Sequence, residues 1–278
     1  MRIEMACEPG NPLRPNEDFA SVAVPASGWG GAMVVLDGVT PPEGDDGCTH
    51  GVPWYTARLG GALLELSGSL RDMTLAQCLS EAVARTAAAH RSTCDLSHPR
   101  TPQATVVAAR WDEERVEHLV LSDSALLAEA PDGAVRALLD PRLDELPPHV
   151  REARERVRAL PQGSAERAEA AAAYARAVEA LRNAPDGSGF FTAAADPGVS
   201  ARAVTGTLPR ESVRTLLGLT DGATRWTEVF RLGDWPELFK LTREEGPAGL
   251  ITRVRAAERA NPPRGKQHDD ATALLVEL

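Results

Sequence analysis

Aspartate recurs where apolar runs begin or end: in "NEDFASVAV" (16–24), "AMVVLDG" (32–38), "LVLSDS" (119–124), "LLGLTDG" (216–222) and "HDDATALLV" (268–276). A charge left at the edge of an apolar core costs several kcal/mol unless it is paired or coordinated. Lysine is scarce nearby, so cations from solvent are the natural partners. Carboxylate oxygens suit hard ions such as Mg²⁺ or Mn²⁺, held octahedrally with some water retained. Taken singly, an Asp-Gly after a strand more often marks a turn; five such ends in one chain argue for coordination. Asp37-Gly38 and Asp221-Gly222 also pair a carboxylate with a residue that lets a carbonyl or ligand approach closely. Two-metal sites hold ions about 3.5–4 Å apart and turn water into a nucleophile for in-line attack on phosphorus.

The elements that must position these acids are legible in outline. "RIEMAC", "DFASVAV" and "AMVVLD" read as strands, the last as one buried on both faces. After a Gly, Pro and Asp-rich loop from Gly38 to Gly51 come helices over roughly Val52 to Ser69 and Thr74 to Thr93, with Thr74 as a cap. "ATVVAARW", "RVEHLVLSDS" and "ALLAEA" form a second strand group, joined by the turn "PDG" to "AVRALLD". Residues Pro141 to Pro185 are rich in Ala, Arg and Glu, with mixed charges at helical spacing and a solvated face. "ARAVTG" and "SVRTLLGLTDG" return to strand, "DWPELFKLTREEG" and "PAGLITRVRAAERA" are helices, and "ATALLVEL" is the closing strand. Clustered strands with paired helices favour a layered α+β domain over a doubly wound parallel sheet. The expectation is one domain over residues 1–278, a helix, sheet, sheet, helix sandwich with a helical insertion at about 141–185.

Length and charge exclude several classes. The 278 residues can bury roughly three quarters of their unfolded surface, and 43% hydrophobic with 25% charged residues is ordinary for a globular protein. A formal charge of −10 argues against nucleic acid as a partner. No apolar stretch approaches the roughly 20 residues of a membrane span, so the expectation is a cytoplasmic protein without a membrane partner. Cys7, Cys48, Cys78 and Cys94 contain no C-x-x-C pair, so reduced, structural thiols are expected and neither a zinc site nor a disulfide framework. The P-loop of kinases and NTPases is missing.

In order and spacing, "NEDF", "VVLDG", "PQATVVAAR", "LVLSDS", "LGLTDGA" and "HDDATALLV" resemble the metal-dependent type 2C (PPM) protein serine/threonine phosphatases over nearly the whole chain. That family's fold is the αββα sandwich of two antiparallel sheets flanked by helices. The resemblance implies two Mg²⁺ or Mn²⁺ ions, with a third held more loosely. Asp37 would bridge both ions, Asp221 and Asp269 would complete one site, and Glu17 with the Gly38 carbonyl the other. Asp18 would hold metal-bound water, and Asp123 would serve the third ion, with Ser122 where the family usually has Gly. Asp270 would be an outer support. Arg14, one residue closer to the acidic motif than usual, would grip phosphate.

Two positions depart from the family pattern. Val39 and Thr40 follow Asp37-Gly38 where animal-type members carry a general-acid His; His50 and His268 are weak substitutes. Arg225 stands where many relatives offer another acid, which weakens the case for a tight third ion. The implied reaction is direct hydrolysis of phosphoserine or phosphothreonine in a phosphorylated protein by a metal-bridging water, with Asp37, Arg14 and Asp18 as the catalytic residues. The alternatives are a non-catalytic regulatory or binding module on the same fold, or a hydrolase of small phosphoesters.

Overall fold

The computed structural model describes residues 1–27, 30–42, 44–69, 71–263 and 266–278; Glu43, inside the expected Gly38 to Gly51 loop, lies outside them. Two five-stranded sheets, antiparallel throughout, face each other. The first orders β1 (Ile3–Glu8), β10 (Ala271–Glu277), β9 (Thr215–Leu219), β6 (Ala125–Glu129) and β7 (Val135–Leu138). The second orders β2 (Phe19–Ala23), β3 (Gly31–Leu36), β4 (Val106–Trp111), β5 (Arg115–Leu121) and β8 (Val204–Pro209). Helices α1 (Val52–Ser69) and α2 (Leu75–His90) cover the second sheet, while α5 (Asp221–Glu228) and α6 (Trp235–Ala260) cover the first.

The continuous apolar runs follow from these layers, because alternate side chains of an inner strand enter different cores. In β3, Val34 and Leu36 pack toward α1 and α2, whereas Met33 and Val35 fill the space between the sheets. In β10, Leu274 and Val276 face the inter-sheet core and Ala273 and Leu275 face the α6 layer. A polar residue at any of these positions would be buried on whichever face it took, so the runs stay apolar until the strand leaves the sandwich. That is where the aspartates sit.

Local signals placed the helices well. Thr74 caps α2 in a reciprocal capping box with Gln77, and Asp234 does the same for α6 with Glu237. The α6 helix is broken at Gly246–Pro247, between the two helices the sequence predicts. Residues 141–185 are helical as expected: a 3₁₀ turn, then α3 (Pro148–Ala159) and α4 (Ala165–Leu181). These pack on each other around Val150, Leu146 and Phe190 with Tyr174 and Val178. The β8 strand begins later than "ARAVTG" implies, since Asp196 caps a 3₁₀ turn over Pro197–Arg202 through the Gly198 N–H. Among the described residues no helix is long and apolar enough to cross a membrane.

Candidate active site

Four chain segments leave the sandwich at one end and bring their acids together. Asp37 and Gly38 follow β3, Glu17 and Asp18 lead into β2, Asp221 opens α5 directly after β9, and Asp269 and Asp270 lead into β10. Asp37 is held by its backbone: its carbonyl accepts from the Thr105 N–H (2.9 Å), and its own N–H donates to Thr105 Oγ1 (3.2 Å). The Asp221 N–H reaches Asp37 Oδ2 at 3.4 Å, which fixes these two acids as neighbours. A Cβ on Gly38 would collide with Val52 and with the Glu17 carbonyl, so only glycine lets these segments approach. Gly222 is pressed against the Asp270 carbonyl in the same way.

The remaining acids differ in how their oxygens are used. Asp18 Oδ2 accepts from the hydroxyls of Thr220 (3.0 Å) and Thr272 (2.7 Å), while its Oδ1 is buried without a partner. Asp221 Oδ1 is likewise buried and unpartnered. Glu17 Oε2 accepts from the Thr40 hydroxyl (2.5 Å). Asp270 spends both oxygens on backbone, accepting from Gly10 N–H (2.7 Å) and Glu17 N–H (2.6 Å), which suits a supporting position that holds the incoming β1–β2 segment.

Burial with mutual repulsion raises every one of the central carboxyls. Burial pushes Asp37 well above the usual carboxylate range, and the charges of Asp221, Asp18, Asp123 and Asp269 add to it. Burial also lifts Asp18 to about 8, against the pull of its two threonine bonds. Asp269 rises to about 6 through burial and the Asp221 charge, although Lys266 pulls the other way. Glu17, Asp123 and Asp221 are raised, in each case mainly by burial. Such a set is destabilised when ionised without counter-charge. Its all-oxygen donors and orphaned buried oxygens fit hard divalent cations. The acids are gathered rather than closed on one point: among the described residues, no three bring their oxygens within 4.8 Å of one another.

Two cavities open on this end. One, of about 750 Å³, is bordered by Asp123, Asp221, Lys266 and Asp269 on one wall and by Arg154, Arg158, Arg167 and Tyr174 of α3 and α4 on the other. The second, of about 450 Å³, is lined by Arg14, Glu17, Thr40, Lys266, Asp269 and Asp270. Arg14 is therefore beside the acids, exposed on the rim. Lys266, ion-paired with Asp269 Oδ1, borders both cavities. The sequence reading expected only solvent cations near these acids and missed this lysine, which stands in a loop without pattern.

Arg225 points away from an ion-binding role. It is buried and ion-paired with Glu258 (3.2 Å), and it donates to the Lys266 carbonyl (2.8 Å), tying down the segment that carries Lys266 and Asp269. His268 Nδ1 is engaged by Glu258 Oε2 at 2.6 Å. Asp123 follows Ser122, whose φ of 70° lies in the left-handed region and whose N–H donates to Asp140 Oδ2 (2.9 Å). Glycine is the usual residue here because its backbone adopts that conformation without penalty. Ser122→Gly is expected to stabilise the protein by about 1 kcal/mol, read as a rise in the chemical-denaturation midpoint; a fall would mean that the serine hydroxyl outweighs the backbone strain.

A second gathering of ligand-type side chains lies away from the carboxylates, and it unites two thiols, both free, that the sequence places far apart. Cys48, His50, His90 and Cys94 bring their ligand atoms within 4.8 Å of one another. Sequence spacing hid the cluster because C-x-H precedes α1 and H-x3-C ends α2, so only the helix hairpin unites them. Cys78 is buried in the core, as expected of a structural thiol, while Cys7 Sγ accepts from the Asn16 amide and lies 2.9 Å from Thr272 Oγ1.

Two antiparallel sheets between two helix layers, with strand-end acids converging at one edge, define the αββα class of metal-dependent phosphatase folds. The family model for protein phosphatase 2C matches residues 14–248, and the chain belongs to that family. The match runs from Arg14 past Asp221 and stops short of Asp269, which the fold itself delivers to the site. The sequence matches none of the curated proteins with which it was compared.

Among solved structures, the chain is similar to the serine/threonine phosphatase Stp1 from Staphylococcus aureus (13% identity, TM-score 0.58, covering 99% of this chain and 94% of that one). It is also similar to the S. agalactiae serine/threonine phosphatase (13%, 0.56, 100% and 99%) and to serine-threonine phosphatase 2C from Toxoplasma gondii (14%, 0.57, 99% and 94%). At these identities the likeness is one of fold.

Proposed function

We propose that the protein is a Mg²⁺- or Mn²⁺-dependent protein phosphatase that releases phosphate from phosphoserine and phosphothreonine by direct attack of water. The observation that carries this reading is the convergence of Asp18, Asp37, Asp221 and Asp269, with buried oxygens of Asp18 and Asp221 lacking any partner. Glu17, Asp37, the Gly38 carbonyl, Asp221 and Asp269 would hold two ions, and Asp123 would serve a third. When bound, such ions neutralise charge on the phosphoryl group and lower the pKa of water.

The chain's own residues supply the rest. Arg14 grips phosphate oxygens from the rim, where a planar guanidinium can bind two of them at once. Asp18, with Oδ2 fixed by two threonines, offers Oδ1 to orient the attacking water and accept its proton. Attack forms one P–O bond and breaks the bond to the serine or threonine oxygen, which takes a proton from solvent water as it leaves. His268 is committed to Glu258 and His50 to the Cys–His cluster, so neither is assigned that donation. The cavity between the acids and α3–α4, about 750 Å³ with arginines on its far wall, has room for a phosphorylated polypeptide segment.

The test compares phosphate release from a phosphothreonine peptide, p-nitrophenyl phosphate and a panel of phosphometabolites, with Mn²⁺, Mg²⁺ or chelator. The expected result is metal-dependent turnover with kcat/KM highest on the peptide. No release at any metal concentration would favour a non-catalytic module, and preference for a metabolite would favour the small-phosphoester reading.

A further inference from the structure

We propose that Cys48, His50, His90 and Cys94 form a closed Zn²⁺ site that clasps the loop after β3 to the end of α2, separate from the carboxylate centre. The distances carry this. The two sulfurs lie 3.4 Å apart, His50 Nδ1 is 3.3 Å from Cys94 Sγ, and Cys48 Sγ is 3.7 Å from His90 Nδ1 and 3.9 Å from His50 Nδ1. Tetrahedral zinc, bonded at about 2.3 Å to sulfur and about 2.0 Å to nitrogen, sets neighbouring ligand atoms roughly 3.3–3.8 Å apart. The donor set has the same meaning: two soft thiolates with two imidazoles select zinc, whereas Mg²⁺ and Mn²⁺ take oxygen.

The surroundings pre-position the ligands. Cys48 and His50 sit two residues apart just ahead of α1, and His90 and Cys94 one helical turn apart at the end of α2, where the Cys94 N–H donates to the His90 carbonyl (3.0 Å). The Trp54 ring stacks on His50 (4.3 Å between centroids) and packs against His90 (5.1 Å), fixing both imidazoles. The two loops are also joined by backbone, the Asp95 N–H donating to the Gly47 carbonyl (2.8 Å). His90 is 1% exposed, and its Nδ1 faces Cys48.

The loop held in this way begins at the active site. Gly38 and Thr40 stand at its start, with Thr40 bonded to Glu17, and Cys48 and His50 at its end. A four-ligand clasp with no open coordination position serves structure rather than turnover. Its ordering effect would reach the carboxylate centre through that loop and through Val52, which packs against Gly38.

The experiment measures metal content in the full-length chain, purified under reducing conditions without an affinity tag or added metal. About one zinc per chain is expected in the wild type, and near zero in Cys48→Ser/Cys94→Ser and in His50→Ala. Titration of metal-stripped wild type with Co²⁺ should give the d–d bands of a tetrahedral ion together with thiolate charge transfer, a readout that does not depend on any variant folding. Asp221→Asn, which alters only the carboxylate centre, should keep its zinc. The proposal is overturned if the wild type neither retains zinc nor binds it one-to-one under reduction. It is equally overturned if the purified chain instead carries a Cys48–Cys94 disulfide, or if Asp221→Asn loses the zinc while the cysteine variant keeps it. None of these readouts uses phosphatase activity, so failure here leaves the functional proposal standing, and failure there leaves this one.

Discussion

Asp37→Asn is expected to lower metal-dependent turnover at least about a thousandfold, equivalent to about 4 kcal/mol of transition-state stabilisation, while leaving the fold intact. Asp37 is the acid that feels the charges of Asp221, Asp18, Asp123 and Asp269 together, and on the proposed reading its carboxylate would serve both ions. An amide keeps the volume and the backbone bonds to Thr105 but removes the charge. Because burial already opposes ionisation of this carboxyl, the same substitution should not destabilise the metal-free protein, and its melting temperature in chelator should equal or exceed that of the wild type. Loss of activity together with that stability separates removal of a ligand from damage to the core. A folded variant retaining wild-type turnover would remove Asp37 from the reaction.

The sequence carried the positions of Asp37, Asp221 and Asp269 because each stands beside the end of a strand buried on both faces, whereas Glu17 and Asp18 precede the half-buried edge strand β2. Before Asp37, residues 31–36 are all buried, and after it the chain turns at Gly38. Burial on two faces makes an unpaired acid costly inside such a run, so the acid after residues 31–36 marks the strand's end and, here, the site's edge. The layered architecture was legible for the same reason.

What sequence left out is tertiary. Lys266 and the arginines of α3 and α4 carry no periodic signal that aims them at the acids; only the packing of the helical hairpin beside α5 makes them a wall. The Cys–His cluster joins residues on either side of a two-helix hairpin, and the absence of C-x-x-C spoke only to ligands close in sequence. Ser122 stood out against the family pattern as a substitution, and its positive φ supplies the physical reason that glycine is common there.

Without divalent ions, the wild type should lose stability relative to Asp18→Asn as pH rises from about 5.5 to about 8.5, by about 3 kcal/mol. The sign follows from Asp18, whose carboxyl is raised in the folded protein to about 8 from an ordinary value near 3.8. Between those values the native state binds a proton that the unfolded chain releases, so stability is fullest at the acidic end and drains away as pH climbs through 8. The amide of the variant has no such proton to lose. Buried His118, whose pKa is lowered, has its own pH dependence, but that is common to both proteins and cancels in the difference. Adding Mn²⁺ should raise the wild-type melting temperature most at the alkaline end, where the acids are ionised and ready to coordinate, and should flatten the slope. Thermal scans of both proteins in chelator and in Mn²⁺ across this range give the measurement. Equal slopes in chelator would mean that Asp18 is already ionised in the folded chain, its charge met by the protein itself, and would rule out the raised carboxyl from which this prediction follows.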